Sequence, residues 1–379
     1  MQAEGPGTAT VNTLGPRAPR ILFAPVSGPH GSGELMRCLI IARELLRADP
    51  GIDVRFLVSR DAVFREAVNF PIINCDESPT RSTPQVLAAI ESFRPHVMVF
   101  DNSGRTEQLR AAKRAGAKLV FTSRAPRLRW KAFRLKWMRL LDEHWLVFPA
   151  FVTGALTPLE RLKLKFFPGY RVRHFDTFFT PTETGARQAW LAGRGLTRGQ
   201  FTVFIPGGRG EQHKAADPAG LFVDAARAFV AATGRVAVVL TGSPEPLASV
   251  AAESSGLRLF PRISPAEVQH LLAAAELVVS NGGTSMIHAL AHGHPLVAVP
   301  LASDQLRRIR RAAQAGVVVR GSADADQIAA AAASLLGDRP RRDDMVRRIA
   351  ELGVANGIGE AVAALRALGH SDIVPPGSA

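Results

Sequence analysis

Two patterns alternate along the chain. Short apolar runs bounded by polar or glycine-rich turns read as buried strands, and longer stretches with apolar residues every three or four positions read as helices. The first strand covers 20–26, a glycine-rich turn covers 27–34, and a helix covers 35–46. Strand patterns recur at 53–58, 96–100, 118–122 and 144–148, with a helix at 84–93. Residues 149–179 then mix Pro, Gly, basic and aromatic residues without a clear period. A second series of strands begins at 201–205 and continues at 235–240, 258–260, 277–280, 296–300 and 317–319. Its helices fall at 187–198, 218–232, from Ser264, from Thr284, and at 304–315, 324–336, 340–352 and 359–368. Ser264, Pro265 and Glu267 form a capping-box signature at one of these starts.

Two successive alternations of this kind predict two doubly wound, Rossmann-like α/β domains, with a ligand cleft between the carboxyl ends of their sheets. The expected division is a disordered tail at 1–19, a first domain at 20–180, a linker at 181–199, a second domain at 200–356, and a C-terminal helix and tail at 357–379. A chain of 379 residues with 46% apolar content can bury two sizeable cores. The tail lacks the apolar centre of a signal peptide, and no run approaches the roughly 20 apolar residues that span a bilayer. Cys38 and Cys75 are the only cysteines, so neither a disulfide framework nor a zinc cluster is expected, and the expected compartment is the cytoplasm. A net charge of +14 calls for an anionic partner: a membrane surface, a nucleic acid or a phosphorylated substrate.

Candidate chemistry gathers at the turns after the strands. Ser280-Asn-Gly-Gly-Thr-Ser285 joins a strand to a helix start, where first-turn N–H groups lack partners and the helix dipole is positive. That makes an anion site of Asn281, Gly282, Gly283, Thr284 and Ser285, suited to a diphosphate. Gly207, Gly208 and Arg209 offer free N–H groups and a guanidinium after an earlier strand, and Gly242 repeats the arrangement. No Gly-Lys-Ser/Thr ending marks a P-loop, so ATP hydrolysis is not expected. In the first half, Gly31, Ser32 and Gly33 let the backbone approach a ligand. His30 or Glu34 beside them can accept a proton from a hydroxyl; Glu34 can equally be a first-turn acid complementing the helix dipole.

The stretch from Ser280 to Gln305 resembles the donor-binding signature of GT-B glycosyltransferases, of both the UDP-glycosyltransferase and the MurG type. Gly282, the Gly293-His-Pro295 turn, the strand ending at Pro300 and Asp304-Gln305 carry the resemblance. It implies a GT-B fold in which the glycine turn holds a nucleotide diphosphate and Asp304-Gln305 touch the hydroxyls of the donor sugar. It also implies a UDP-sugar or related nucleotide-diphosphate sugar as donor and a hydroxyl acceptor, lipid-linked or belonging to a cell-envelope glycan. Two positions depart from the pattern. Ser280 replaces the histidine of the UDP-glycosyltransferases, and His288 replaces the glutamate that binds ribose. In the first half the resemblance puts Glu34 where the family often has histidine, and Asp101 where an aspartate orients the catalytic histidine; a turn with Asn102-Ser-Gly104 is the other reading of Asp101. No cofactor or metal is expected, because helix ends can stand in for a cation. A sugar-nucleotide epimerase of the same fold and a catalytically silent basic membrane or RNA-binding protein are the alternatives, with nucleic acid the least favoured partner.

Residues 124–141 interleave cations with large apolar side chains. Arg129, Trp130, Arg134 and Trp137 are therefore expected to meet an anionic membrane surface, which would place the protein peripherally on the inner face of the plasma membrane. A core helix with a basic outer face, or a basic pocket for a phosphorylated acceptor, are the competing readings, since the apolar residues do not form one stripe.

Overall fold

The computed structural model describes residues 18–28, 33–124, 126–207, 217–242, 256–261 and 263–370. His30, Gly31, Ser32, Gly208 and Arg209 lie outside the described residues. Two parallel sheets organise the chain. The first contains β1 (Arg20–Pro25), β2 (Asp53–Ser59), β3 (Ile72–Cys75), β4 (Val97–Asp101), β5 (Lys118–Ser123), β6 (Glu143–Val147) and β7 (Arg171–Phe175), in the order β3-β2-β1-β4-β5-β6-β7. The second contains β8 (Phe201–Ile205), β9 (Val236–Leu240), β10 (Leu257–Phe260), β11 (Leu277–Asn281), β12 (Leu296–Val299) and β13 (Val319–Arg320), in the order β10-β9-β8-β11-β12-β13. Both are doubly wound, and in each the winding reverses beside the first strand. The crevices therefore open between β1 and β4 and between β8 and β11.

Covering helices explain why the central strands are legible. Every residue of β4, β8 and β11 is buried, so these strands read as continuous apolar runs. Edge strands are a different matter. β3 and β7 were not expected from the pattern; both are sheet edges with mostly half-buried or exposed residues, and Arg171, Arg173 and His174 break the apolar run in β7. The aperiodic stretch also holds the helix Pro158–Lys165, whose Thr157 and Glu160 form a reciprocal capping box. The box expected at Ser264 is present: Glu267 N–H donates to Ser264 Oγ at 3.2 Å, and Ser264 N–H donates to Glu267 Oε2 at 2.8 Å. Gly234, at φ +65°, closes the helix Pro218–Thr233 in the left-handed conformation that glycine adopts without strain.

The basic segment is not one helix. It breaks into Pro126–Ala132 and Leu135–Met138, with Arg134 extended between them. Its apolar residues pack under the first sheet, where Phe100, Phe121, Phe133, Trp137 and Tyr170 share a core. The other face of that sheet belongs to a core that continues through Trp145, Phe175 and Phe178 into Phe201 and the second sheet.

The chain crosses between the halves twice at one place. Phe179 N–H donates to Asn356 Oδ1 at 3.1 Å, Asn356 Nδ2 donates to Phe179 O at 2.7 Å, and Gly357 N–H donates to Thr177 O at 2.9 Å. A side chain at Gly357 would begin 2.5 Å from Phe175 Cδ1, so the second crossing can lie flat on the first only with glycine there. The helix Ile358–His370 then packs on the first half, with Glu360 paired to Arg173 at 3.0 Å and His370 to Asp49 at 2.9 Å.

Asn356 satisfies two backbone groups of the crossing with one side chain. We predict that Asn356→Ala lowers unfolding free energy by about 1–3 kcal/mol, the cost of leaving such groups unmet. Urea denaturation measures it, and an unchanged midpoint would show that the crossing is held by the remaining contacts.

Candidate active site

At the first crevice a chain of polar contacts runs from the sheet to the surface. β1 and β4 pair so that Pro25 lies beside Asp101. Asp101 is fully buried and its carboxylate takes both prongs of Arg37, at 2.8 and 2.6 Å, and the Thr122 hydroxyl. Cys38 Sγ lies 3.5 Å away. Arg37, one turn into the helix Gly33–Ala48, in turn faces Glu34. Asn102 Nδ2 donates to Glu34 Oε1 at 2.6 Å, and Arg124 Nη2 lies 3.8 Å from the same oxygen. Burial raises the Glu34 pKa, but Arg37, Arg124 and the Asn102 bond outweigh it and hold the carboxyl below its ordinary value. Glu34 is thus a fixed carboxylate at neutral pH. Asp101 meets no histidine among the described residues; its partner is Arg37, through which it fixes Glu34.

The second crevice is built by close approach of backbone. Gly207, at φ +83°, ends β8 directly against the Asn281 side chain, so a Cβ there would clash with that carboxamide. Asn281 Oδ1 accepts the Gly283 N–H at 2.9 Å, which leads into the helix Thr284–Ala291. Thr284 is exposed and Ser285 half-buried at its first turn. Gly282 needs no unusual dihedral; it is glycine because a Cβ would lie 2.7 Å from Ile309 Cδ1 and 2.9 Å from Gln305 Cβ. Both belong to the helix Ser303–Gln314. Gln305 is buried and its Oε1 accepts the N–H groups of Gly282, at 3.3 Å, and Leu301, at 3.0 Å. Its carboxamide oxygen therefore braces the glycine turn. Asp304 stays at the surface, paired with Arg308 at 2.8 Å, and Arg308 also donates to the Gly282 carbonyl. Gly242, at φ +68°, ends β9.

His288 is half-buried on the helix Thr284–Ala291 and tied to Gln269 of the helix Pro265–Leu272. Gln269 stands between it and His292, donating to His288 Nδ1 at 3.1 Å and accepting from His292 Nε2 at 3.0 Å. Phe179 packs against both rings. Burial, with the neighbouring His292, lowers the His288 pKa to about 3; burial, with Arg187, lowers that of His292 to about 4. His294 is held at about 4, again chiefly by burial. A fourth neutral histidine, His144, is fully buried between Ser123 Oγ at 2.8 Å and the Tyr170 hydroxyl at 2.9 Å, and burial lowers it to about 3. Ser280 is fully buried, its hydroxyl donating to Asn281 O at 3.1 Å.

A cavity of about 670 Å³ lies at the carboxyl ends of β5 and β6, faced on its second side by the helix Ser303–Gln314. Phe148 lines it with φ +112°, a conformation that strains any residue with a Cβ. Two bonds hold it there: its N–H donates to Phe175 O and His174 Nε2 lies on its carbonyl, both at 2.9 Å. The basic segment supplies the outer wall. Arg129 is buried, bound to Glu160 Oε1 at 2.9 Å and to the carbonyls of Thr153, Gly154 and Ala155. Trp137 is fully buried, donating to Thr106 Oγ1 at 3.0 Å. Both were expected at a membrane, and both are structural because the segment folds back under the first sheet. Trp130 remains 61% exposed, with Arg134 stacked 3.9 Å from its ring centroid. Sequence reasoning missed Phe148, Arg308 and Glu160; none belongs to a spacing motif, and each gains its place from a contact between distant segments. Among the described residues no group of His, Cys, Asp or Glu converges as a metal site.

Two doubly wound parallel sheets, the second with glycine turns at its switch point, define the GT-B fold. No family model matches the chain, and no curated protein sequence is significantly similar to it. Solved structures are similar in fold. Phytolacca americana UGT2, complexed with UDP-2fluoro-glucose and pterostilbene, superposes with a TM-score of 0.62 at 12% identity over 93% of this chain and 100% of that one. The spinosyn rhamnosyltransferase SpnG, complexed with thymidine diphosphate, gives 0.62 at 18% identity over 92% and 100%. Acinetobacter baumannii MurG gives 0.57 at 13% over 92% and 99%.

Neutral histidines make stability depend on pH with a definite sign. The unfolded chain takes up protons at its histidines near 6.5, whereas His144, His288, His292 and His294 resist until about 3 or 4. Stability is therefore complete above 6.5 and falls as pH drops toward 4, at up to about 1.4 kcal/mol per unit for each histidine. Carboxylates held below 4.5, such as Glu34 and Glu160, lose their contribution only at lower pH. Urea midpoints should be flat from pH 8 to 6.5 and decline from 6.5 to 4.5; a flat profile across that second interval would contradict neutral burial.

Proposed function

We propose that this chain is a glycosyltransferase moving a sugar from a nucleotide-diphosphate sugar, UDP-sugar favoured, to a hydroxyl acceptor that is lipid-linked or part of a cell-envelope glycan. One observation carries the reading: Gly207 and Asn281-Gly282-Gly283 meet at the second switch point, before a helix whose first turn offers Thr284 and Ser285. The first-turn N–H groups and positive end of that helix suit the diphosphate that leaves as the sugar transfers. UDP-2fluoro-glucose and thymidine diphosphate in the similar structures support a nucleotide-diphosphate donor. In the reaction the acceptor oxygen bonds to the anomeric carbon, the bond from that carbon to the diphosphate breaks, and the hydroxyl proton passes to a base. Glu34, its negative charge stabilised by Arg37, Arg124 and Asn102, is a weak proton acceptor. That favours His30, four residues earlier, as the base, with Glu34 orienting it or the acceptor. Asp304 is the candidate for the sugar hydroxyls, on exchange with Arg308.

The reading extends to a cytoplasmic enzyme resting on the inner face of the plasma membrane. Its support is a patch the sequence only half revealed. Leu159, Leu162 and Phe166 lie along one face of the helix Pro158–Lys165 and its end, and all are exposed, Phe166 by 72%. Trp130 and Leu135 add two more, so five of the eight large exposed hydrophobics among the described residues come from these neighbouring segments. Arg134, Lys136, Arg161 and Lys165 accompany them in the sequence. Apolar residues among cations suit an anionic lipid surface. No described helix is long and apolar enough to cross a membrane.

Purified protein incubated with labelled nucleotide sugars and a lipid extract tests the activity. Donor-dependent labelling of an acceptor is expected; epimer formation without acceptor would support the epimerase alternative instead. His30→Ala should lower kcat by about 10²–10⁴ with donor affinity retained, and Glu34→Gln by less. Full activity in both variants would remove them from proton transfer. Vesicles of phosphatidylglycerol should float the protein at low salt, and Leu159→Ser with Phe166→Ser should abolish most of that binding. Undiminished flotation would move the membrane contact elsewhere.

A further inference from the structure

The cavity carries more positive charge than the donor reading uses. Six cations line it against two acids, Glu160 and Asp304. Those acids are already engaged by Arg129 and Arg308. Lys163 donates to Phe133 O at 3.0 Å and Arg311 to Val152 O, which leaves Arg307, and Arg124 with its one acid, Glu34, 3.8 Å away and outside the lining, as the cations with no acid of the cavity on them. Arg124 comes from the end of β5 in the first half, and Arg307 from the helix Ser303–Gln314 in the second.

Phe148 gathers Arg124 and Arg308, the residue next to Arg307, on one ring. The Arg308 guanidinium lies 4.8 Å and that of Arg124 5.7 Å from the centroid of the same ring. Burial, with repulsion from Arg124 and Arg307, holds the Arg308 pKa below its ordinary value although Asp304 opposes the change. Three neighbouring guanidiniums, with Asp304 on Arg308 and the more distant Glu34 on Arg124 as counter-charges, keep a net positive charge that an anion would relieve. None of the residues at the Gly282 turn lines this cavity, whereas Trp130, Phe133, Leu146 and Leu159 do. The anion and an apolar body therefore share one enclosure.

We infer that this cavity binds an amphipathic acceptor whose anionic group, a phosphate or carboxylate, is held between Arg124 and Arg307 while its apolar part lies against Trp130, Phe133 and Leu159. The inference rests on the transferase reading for the word acceptor, but the anion site itself does not. Because one guanidinium comes from each half, such a ligand bridges the cleft. Its charge, rather than its hydroxyl alone, then selects it.

Isothermal titration with octyl phosphate below its micellar concentration, compared with octyl glucoside, tests the assignment, with UDP titrated in parallel. Octyl phosphate should bind at least roughly tenfold more tightly than octyl glucoside, the scale of one charge-assisted hydrogen bond. Saturating UDP should not displace it. Arg124→Gln with Arg307→Gln should remove the preference, while UDP binding stays unchanged and circular dichroism shows the double variant folded. Equal affinity for the neutral detergent, displacement by UDP, or full binding by the folded double variant each overturns the inference, displacement assigning the anion site to the donor. UDP binding without octyl phosphate binding overturns this inference alone; octyl phosphate binding without UDP binding upholds the anion site and removes the transferase reading.

Discussion

The contact on which the site depends is the approach of the helix Ser303–Gln314 to Gly282. One glycine residue is held on three sides: Gln305 takes its N–H, Arg308 reaches its carbonyl, and Ile309 occupies the space where a side chain would stand. Three residues from about one helical turn thus set the turn that leads into the helix Thr284–Ala291. The same helix turns Asp304, Arg307 and Arg308 toward the cavity. Arg311 reaches across to Val152 in the first half. Turn, cleft wall and interdomain contact are consequences of one packing event, so a side chain at Gly282 would shift all three.

The first half uses charge where the second uses backbone. Arg37 bridges a fully buried Asp101 and Glu34, and burying such groups is tolerable only because each meets a partner at good geometry. Replacing them with apolar residues of similar volume would keep the packing and lose the orientation. What the ions contribute is a Glu34 carboxylate with one direction and one protonation state. That constancy explains why the residue in the better register makes the poorer base: the cations that fix it also weaken its hold on a proton.

How far the sequence revealed this follows from which forces are local. Strands covered on both faces announce themselves as apolar runs, and the Ser264 capping box acts within four residues, so both were legible. β3 and β7 were not, since an edge strand has no need of continuous apolar character. The Gly282 turn was visible as a motif, but its reason was not; the family resemblance implied a sugar contact for Gln305, while its bonds to the Gly282 and Leu301 N–H groups come from packing that no motif encodes. Trp137 was read for its chemistry, whereas its position beneath Phe121, with ring centroids 5.1 Å apart, decided its burial. Phe148 was invisible because its strain comes from bonds to Phe175 and His174, more than 20 residues away.

Strain at Phe148 is most simply understood together with the charge around it. A residue at φ +112° persists only where its surroundings over-determine it, and here two backbone-directed bonds fix the main chain while two guanidiniums flank the ring. Relaxing the backbone would swing the ring away from Arg124 and Arg308, removing the aromatic face that makes their approach tolerable. The cations on one side belong to the first sheet and on the other to the helix that braces Gly282. Phe148 is therefore the point at which the two halves share an electrostatic problem, and a ligand that supplies negative charge there would solve it for both at once.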